Sequence, residues 1–276
     1  MARFLPMIFL LSGVLPAVAV EDVASLDWNA LLRAEVVIIG EVHDNHHHHD
    51  NQALIVARLR PKAVVFEMVP EADEEKLRQL PAARRTEQEL SDLLRWEKRG
   101  WPDFSIYWPV FEAVGNAALF GAEQPRASVR AAYDDGAASA FGESAASFGL
   151  DKPLPAPEAD ERMAEQMEAH CNALPEDTLP HMVEAQRFRD AELSRAVLRA
   201  LREKGRGPVV LITGNGHARR DWGVPALLRI AAPGLDVVAI GQFEEEAEPG
   251  APFDGILVTP TVPRADPCEA FRGRND

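Results

Sequence analysis

The chain is poor in cysteine, tyrosine and positive charge, and beyond its amino-terminal segment it has no long apolar run. It has two cysteines, Cys171 and Cys268, in 276 residues. Neither lies near the amino terminus, so no lipid is expected on a processed N-terminal cysteine. Lysine and arginine number 29 against 44 aspartates and glutamates, a formal net charge of −15. An acidic surface repels phosphate backbones and anionic membranes, so nucleic acid is not expected as a partner. No later segment is long and apolar enough to span a bilayer. A phosphate-binding glycine loop, a G-x-S-x-G elbow and an H-E-x-x-H helix are all missing, and with them three common catalytic signatures.

The amino terminus reads as an export signal. Met1-Ala2-Arg3 gives a positive start, "FLPMIFLLSGVLPAVA" an apolar stretch, and Ala17-Val18-Ala19 the small-x-small pattern of a cleavage site. Residues 1–19 are therefore expected to be removed, leaving 20–276 as one domain. In an oxidising compartment Cys171 and Cys268 either form one bridge, tying the C-terminal tail to the body, or remain two unrelated thiols.

The mature chain alternates short β-branched runs with helical patterns. "EVVII" (Glu35–Ile39), "AVVF" (Ala63–Phe66), "AALF" (Ala117–Phe120), "VVLIT" (Val209–Thr213) and "DVVAI" (Asp236–Ile240) are apolar at nearly every position. Such runs suit strands buried on both faces of a parallel sheet. Helices are expected over Asp50–Arg60 and Trp222–Ile230. The fold class expected is α/β, a central, mainly parallel sheet flanked by helices. A helical subdomain is expected around 71–110 and 151–205, and Gln242–Gly255 as a solvated loop.

In open parallel sheets ligands sit beyond the carboxyl ends of the strands. The residues following three of the runs are Gly40-Glu41-Val42-His43, Glu67 and Gly214-Asn215-Gly216-His217. Two G-x-x-H turns and a glutamate thus point at one edge. Imidazoles and carboxylates of this kind hold a divalent cation (zinc, manganese, cobalt or iron) or form a hydrogen-bonded polar cluster. With Glu41, His43 and His217 as metal ligands and Glu67 as base, the set suits attack of an activated water on an ester or amide. The run His46 to His49 cannot serve one ligand, because successive helical residues point about 100° apart. His46 and His47 are expected in solvent. In "WEKRGWPDFSIYWPVFEAV" Trp101, Phe104, Tyr107, Trp108 and Phe111 either line a flat apolar ligand or pack beneath a helical lid, and a tyrosinate is a known ligand of ferric haem.

"GEVHDNHHHHDNQ", "FEMVP", "WPDFSIYWPVFEA", "EAQRFRDAELSRAV", "ITGNGHARRDWGVPALL" and "FDGILVTPTVPRADPC" together resemble the ChaN-like haem-binding, iron-regulated proteins. These sit with the erythromycin esterases and Tiki/TraB proteins in a wider superfamily sharing paired GxxH motifs. The resemblance runs over nearly the whole mature chain. It implies haem as cofactor, a part in iron acquisition at the bacterial envelope alongside haem-uptake components, and a homodimer that encloses haem. It further implies Tyr107, rather than Tyr133, as haem ligand, His48 and His49 as cofactor contacts, and Glu41, His43, Glu67 and His217 as the catalytic or metal positions of hydrolytic relatives. The missing lipid-bearing cysteine departs from the lipoprotein members and implies a soluble periplasmic form. Glu192 is a second departure, an acid in a helix block where less acidic residues are expected.

Overall fold

The computed structural model describes residues 19–20, 22–81, 85–205, 207–266 and 268–269. The expected leader lies outside the described residues except for Ala19. Along the chain come β1 (Ala19–Val20), α1 (Trp28–Arg33), β2 (Val36–Ile39), α2 (His46–Leu59), β3 (Ala63–Pro70), α3 (Glu74–Gln79), α4 (Glu87–Leu94) and α5 (Phe104–Val114). They are followed by β4 (Ala118–Glu123), α6 (Arg126–Asp135), α7 (Ala137–Phe141), α8 (Ala156–Ala169) and α9 (Leu179–Lys204). The last are β5 (Val209–Ile212), α10 (Asn215–Ala218), α11 (Val224–Ala231), β6 (Val237–Glu244) and β7 (Gly255–Thr259). The strands form one parallel sheet in the order β1-β7-β6-β2-β5-β3-β4.

The β-branched runs are apolar throughout because both faces of the sheet are covered. Val37, Ile39, Val64, Phe66, Val210 and Ile212 point to one face, where Trp28, Leu31, Ile55, Phe111 and Val114 pack on them. Their neighbours Val36, Ile38, Val65, Val209 and Leu211 point to the other, against Leu193 and Val197 of α9 and Val224 and Leu228 of α11. A third apolar cluster, with Phe141, Phe148, Phe188 and Leu227, seats α7 over α9 and α11.

Three expectations change. First, β3 runs on to Pro70, so Glu67 lies inside a strand rather than after it. It follows Phe66, the last residue β3 pairs with β5, and beyond that rung β3 keeps only β4, with a register shift. Second, β6 continues through Gln242, Phe243 and Glu244, which pair with Leu257, Val258 and Thr259, so only part of Gln242–Gly255 is loop. The buried Gln242 amide explains the extension, since it donates to the carbonyls of Gly40 (2.8 Å) and His48 (3.1 Å). Third, the helical stretches expected as one subdomain are split. Leu77, Leu90 and Leu94 of α3 and α4 join the same face as α2, whereas α9 covers the opposite one.

Of the two arrangements open for the cysteines, the bridge is the one formed. Cys171, just beyond α8, is bonded to Cys268 across 97 positions, with Cα atoms 5.5 Å apart. On its way to that bridge the tail is also held by Arg264, whose guanidinium bonds Asp44 at 2.8 Å and Glu244 at 2.5 and 2.7 Å. Closing so long a loop removes chain entropy from the unfolded state. Replacing both cysteines (Cys171→Ser with Cys268→Ser) is expected to lower stability by about 2–4 kcal/mol in denaturant unfolding, to the same value as reducing the native chain.

Candidate functional site

Register brings the site together. Ile39 of β2 pairs with Ile212 of β5, and Phe66 of β3 pairs with the same Ile212. Beyond this shared rung β2 and β5 end while β3 runs on beside β4, so Glu41 and His43, Glu67, and Gly214 to His217 meet at one edge. Gly40 is required there by close approach. A Cβ on it would lie 2.2 Å from Asn215 Oδ1, an oxygen that accepts from the Gln242 amide N–H at 3.0 Å.

The first turn is built around a buried carboxylate. Glu41 is 2% exposed. Its Oε1 lies 2.7 Å from His43 Nδ1 and 3.0 Å from the Tyr107 hydroxyl, and its Oε2 accepts from Gln52 Nε2 at 2.7 Å. His49 Nδ1 stands 3.5 Å from Oε2. Burial pushes the Glu41 carboxyl up, but the His49 and His43 rings and the Gln52 amide outweigh it, so its pKa falls below the usual 4.5. His43 keeps 35% of its side chain exposed, with Trp101 edge-on at 5.0 Å. Burial lowers its pKa, yet the Glu41 hydrogen bond and the Glu67 charge raise it above 6.5 overall.

The second turn carries a row of charges. His217 Nδ1 lies 2.7 Å from Asp190 Oδ1, and its Nε2 lies 3.5 Å from Glu67 Oε1. Glu67 Oε2 accepts from the Thr213 hydroxyl at 2.6 Å and the Gly214 amide at 2.8 Å. Burial opposes a charge on His217, but the Glu67 and Asp190 carboxylates override it and push its pKa up to about 10. His217 is thus an imidazolium at neutral pH. Burial pushes Glu67 up and the cations His217 and His43 pull it down further, leaving it ionised well below the carboxylate range. The two turns face each other across Gly214. A Cβ there would sit 3.1 Å from His43 Nε2 and 3.9 Å from Glu67 Oε2. Beside the second turn lies a cleft of about 350 Å³ bordered by Asn215, Gly216, Arg219, Trp222, Phe243 and Glu165.

Glu41, His43, Glu67 and His217 are therefore neighbours, as their positions after the strands implied. Among the described residues, however, no group of three or more His, Cys, Asp or Glu side chains is disposed to hold a metal. The reason is local: His217 has a carboxylate against each ring nitrogen, and Glu41 is turned inward onto Gln52, Tyr107 and His49. The expected metal set of Glu41, His43 and His217 does not converge.

The cofactor contacts expected on α2 and α5 are also placed differently. Asn45 caps α2, its Oδ1 accepting from the His47 amide at 2.9 Å, and this phase turns His48, His49 and Gln52 to the sheet at 0% exposure. His48 Nδ1 accepts from the Val42 amide at 2.8 Å, and His49 Nε2 lies 3.0 Å from the His43 carbonyl. Burial pushes His48 down to about 4, so it stays neutral. His46 is exposed as expected, whereas His47 is half-buried with its ring 4.1 Å from that of His46. Tyr107 is buried at 0% exposure, its ring 4.0 Å from His49 and 5.0 Å from Trp96. Burial and the Glu41 carboxylate hold its phenol proton well above the ordinary range. Its hydroxyl is spent on Glu41 and the His43 carbonyl (3.1 Å), with no face left for a group the size of haem. Tyr133, the other tyrosine, is only half-buried.

Asp190, Gln186 and Gln52 belong to the site and were missed. A signal existed for two of them. Gln186 and Asp190 share the helical phase of Leu193 and Val197, so both place polar groups in an apolar stripe.

With this geometry in place, the comparisons define the class. A family model described as "Haem-binding uptake, Tiki superfamily, ChaN" matches residues 28–228. The chain belongs to this haem-binding family. Among solved structures it is similar to ChaN of Campylobacter jejuni, described for cofacial heme binding, with 19% identity, a TM-score of 0.61, and coverage of 82% of this chain and 88% of that one. It also matches an erythromycin esterase variant in its open conformation at 14% identity and a TM-score of 0.44, covering 84% of this chain and 79% of that one. None of the curated proteins matches.

The charged row makes stability depend on pH. The folded-state pKa of His217 is raised from 6.5 to about 10, so its contribution is complete below pH 6.5 and is lost as pH climbs towards 10. Unfolding free energy from urea titrations is expected to fall across that window. In His217→Gln the fall should be much shallower, because the titrating group is gone.

Proposed function

We propose that the protein is exported to the bacterial envelope, binds haem there as a homodimer and handles it during iron uptake. The observation that carries the reading is the family match over residues 28–228. The Cys171–Cys268 bridge supports it, since such bonds persist in oxidising compartments, and so does the leader pattern of Met1–Ala19. Among the described residues no helix is long and apolar enough to cross a membrane.

Which side chains fit haem follows from exposure. Tyr133 is half-buried, its ring stacked on His181 at 5.0 Å with the Arg130 guanidinium 4.9 Å from it. A tyrosine oxygen is a ligand that ferric iron takes. The exposed His181 has Nδ1 2.6 Å from the Tyr133 carbonyl, which makes Nδ1 the protonated nitrogen and leaves Nε2 the lone pair. Tyr133 and His181 would hold the group, and haem would supply the redox and ligand chemistry of its iron. Tyr107 serves instead to position Glu41. Titration of the purified protein with hemin is expected to give a Soret shift that Tyr133→Phe alters and Tyr107→Phe does not. Absence of any shift in the wild-type chain overturns the reading, and an unaltered spectrum in Tyr133→Phe overturns the ligand.

A second reading is supported by the pair of facing turns, which haem binding does not require. His43 is backed by Glu41 on Nδ1 and presents Nε2 towards Gly214 and Glu67 at the open side. That is the arrangement of a general base oriented by a carboxylate. The reaction class is hydrolysis of an ester or amide by an activated water. Activity on such substrates is expected to rise with pH through the raised pKa of His43 and to vanish in His43→Ala. Activity that survives in His43→Ala would end this reading.

A further inference from the structure

The opposite edge of the sheet carries a second concavity, remote from both turns. Lys62 and Ala117 stand immediately before β3 and β4, and Lys204 ends α9, so this site lies at the amino ends of parallel strands. An open cavity of about 650 Å³ lies here, walled by Val56, Ala57, Pro61, Ala113, Val114 and Ala117. Among the described residues three cations, Arg60, Lys62 and Lys204, stand around it, and no acidic residue lines it. In a chain of net charge −15 such a one-signed group is out of balance with its surroundings.

The ordinary reason for cations here is the helix dipole. The carboxyl ends of α2, α5 and α9 gather at this edge, and their last carbonyls attract positive charge. Yet among the described residues the side chains of Arg60, Lys62 and Lys204 make no hydrogen bond or ion pair, to those carbonyls or to anything else. All three are exposed. Small side chains, Ala57, Ala113 and Ala117, keep the cavity open where larger apolar residues would fill it. Apolar walls with a few charged groups of one sign are the composition of a ligand site.

We infer that this cavity binds an amphipathic anion, its apolar body against the alanine and valine walls and its carboxylate or phosphate among Arg60, Lys62 and Lys204. Among the described residues no tyrosine, histidine, cysteine or methionine lines the cavity, so the inference stands apart from the haem reading.

Calorimetric titration with dodecanoate and with dodecyl phosphate tests it and separates the two headgroups. Saturable binding of at least one is expected, weakened about tenfold or more in Lys62→Glu with Lys204→Glu. Ala113→Phe, which keeps every charge and fills the space, is expected to weaken binding likewise, while Tyr133→Phe leaves it unchanged. Circular dichroism shows whether each variant is folded. The inference is overturned if neither amphiphile binds, if both folded cavity variants bind as the wild type does, or if dodecyltrimethylammonium competes as well as dodecanoate. Competition by inorganic phosphate as strong as that of dodecanoate would also overturn it, because the apolar body would then count for nothing.

Discussion

Ionised groups taken out of water must find partners, and the carboxyl edge of this sheet is organised by that demand. Glu41, just beyond β2, and Glu67, within β3, are both largely withdrawn from water, where an unpaired carboxylate would take up a proton. Each stays ionised because donors from distant parts of the chain converge on it. Glu41 gathers His43, Gln52 and Tyr107, and Glu67 gathers His217, Thr213 and the Gly214 amide. The parallel rungs at Ile39, Ile212 and Phe66 set where these groups stand, and α2, α5 and α9 supply the remaining partners. The fold and the electrostatics of the site are therefore one problem solved once.

The same demand explains how His48, His49 and Tyr107 can be buried. A helix capped at Asn45 presents residues 48, 49 and 52 to the core in succession, and the polar groups buried with them use one another as partners. Only His43, which precedes the helix, keeps both a buried anchor and an open side. A haem ligand atom must be accessible, and of the two tyrosines Tyr107 is buried whereas Tyr133 is half-buried.

Much of the fold was legible because its signals are local. Runs such as "EVVII" and "VVLIT" declare strands buried on both faces, and glycine after each run marks a turn; neither depends on knowing the neighbours. Glu41, His43, Glu67 and His217 were legible as a set for the same reason, since parallel strands bring their following residues to one edge. The metal expected there was not secured by residue type, because ligation depends on which lone pairs remain free. His217 has none to offer, being enclosed by Asp190 and Glu67.

By itself, then, the amino-acid order determined the periodicities, the turns after the strands, the position of the helix cap at Asn45 and the family to which the blocks belong. Only the tertiary structure decided which side chains were buried, which hydrogen bonds were already taken, that Cys171 and Cys268 lie within bonding reach, and that α9 delivers Asp190 to His217. The division has a physical cause. Secondary structure follows from contacts a few residues apart, whereas protonation, exposure and coordination follow from partners that may be two hundred residues away, such as Gln242 on the Gly40 carbonyl.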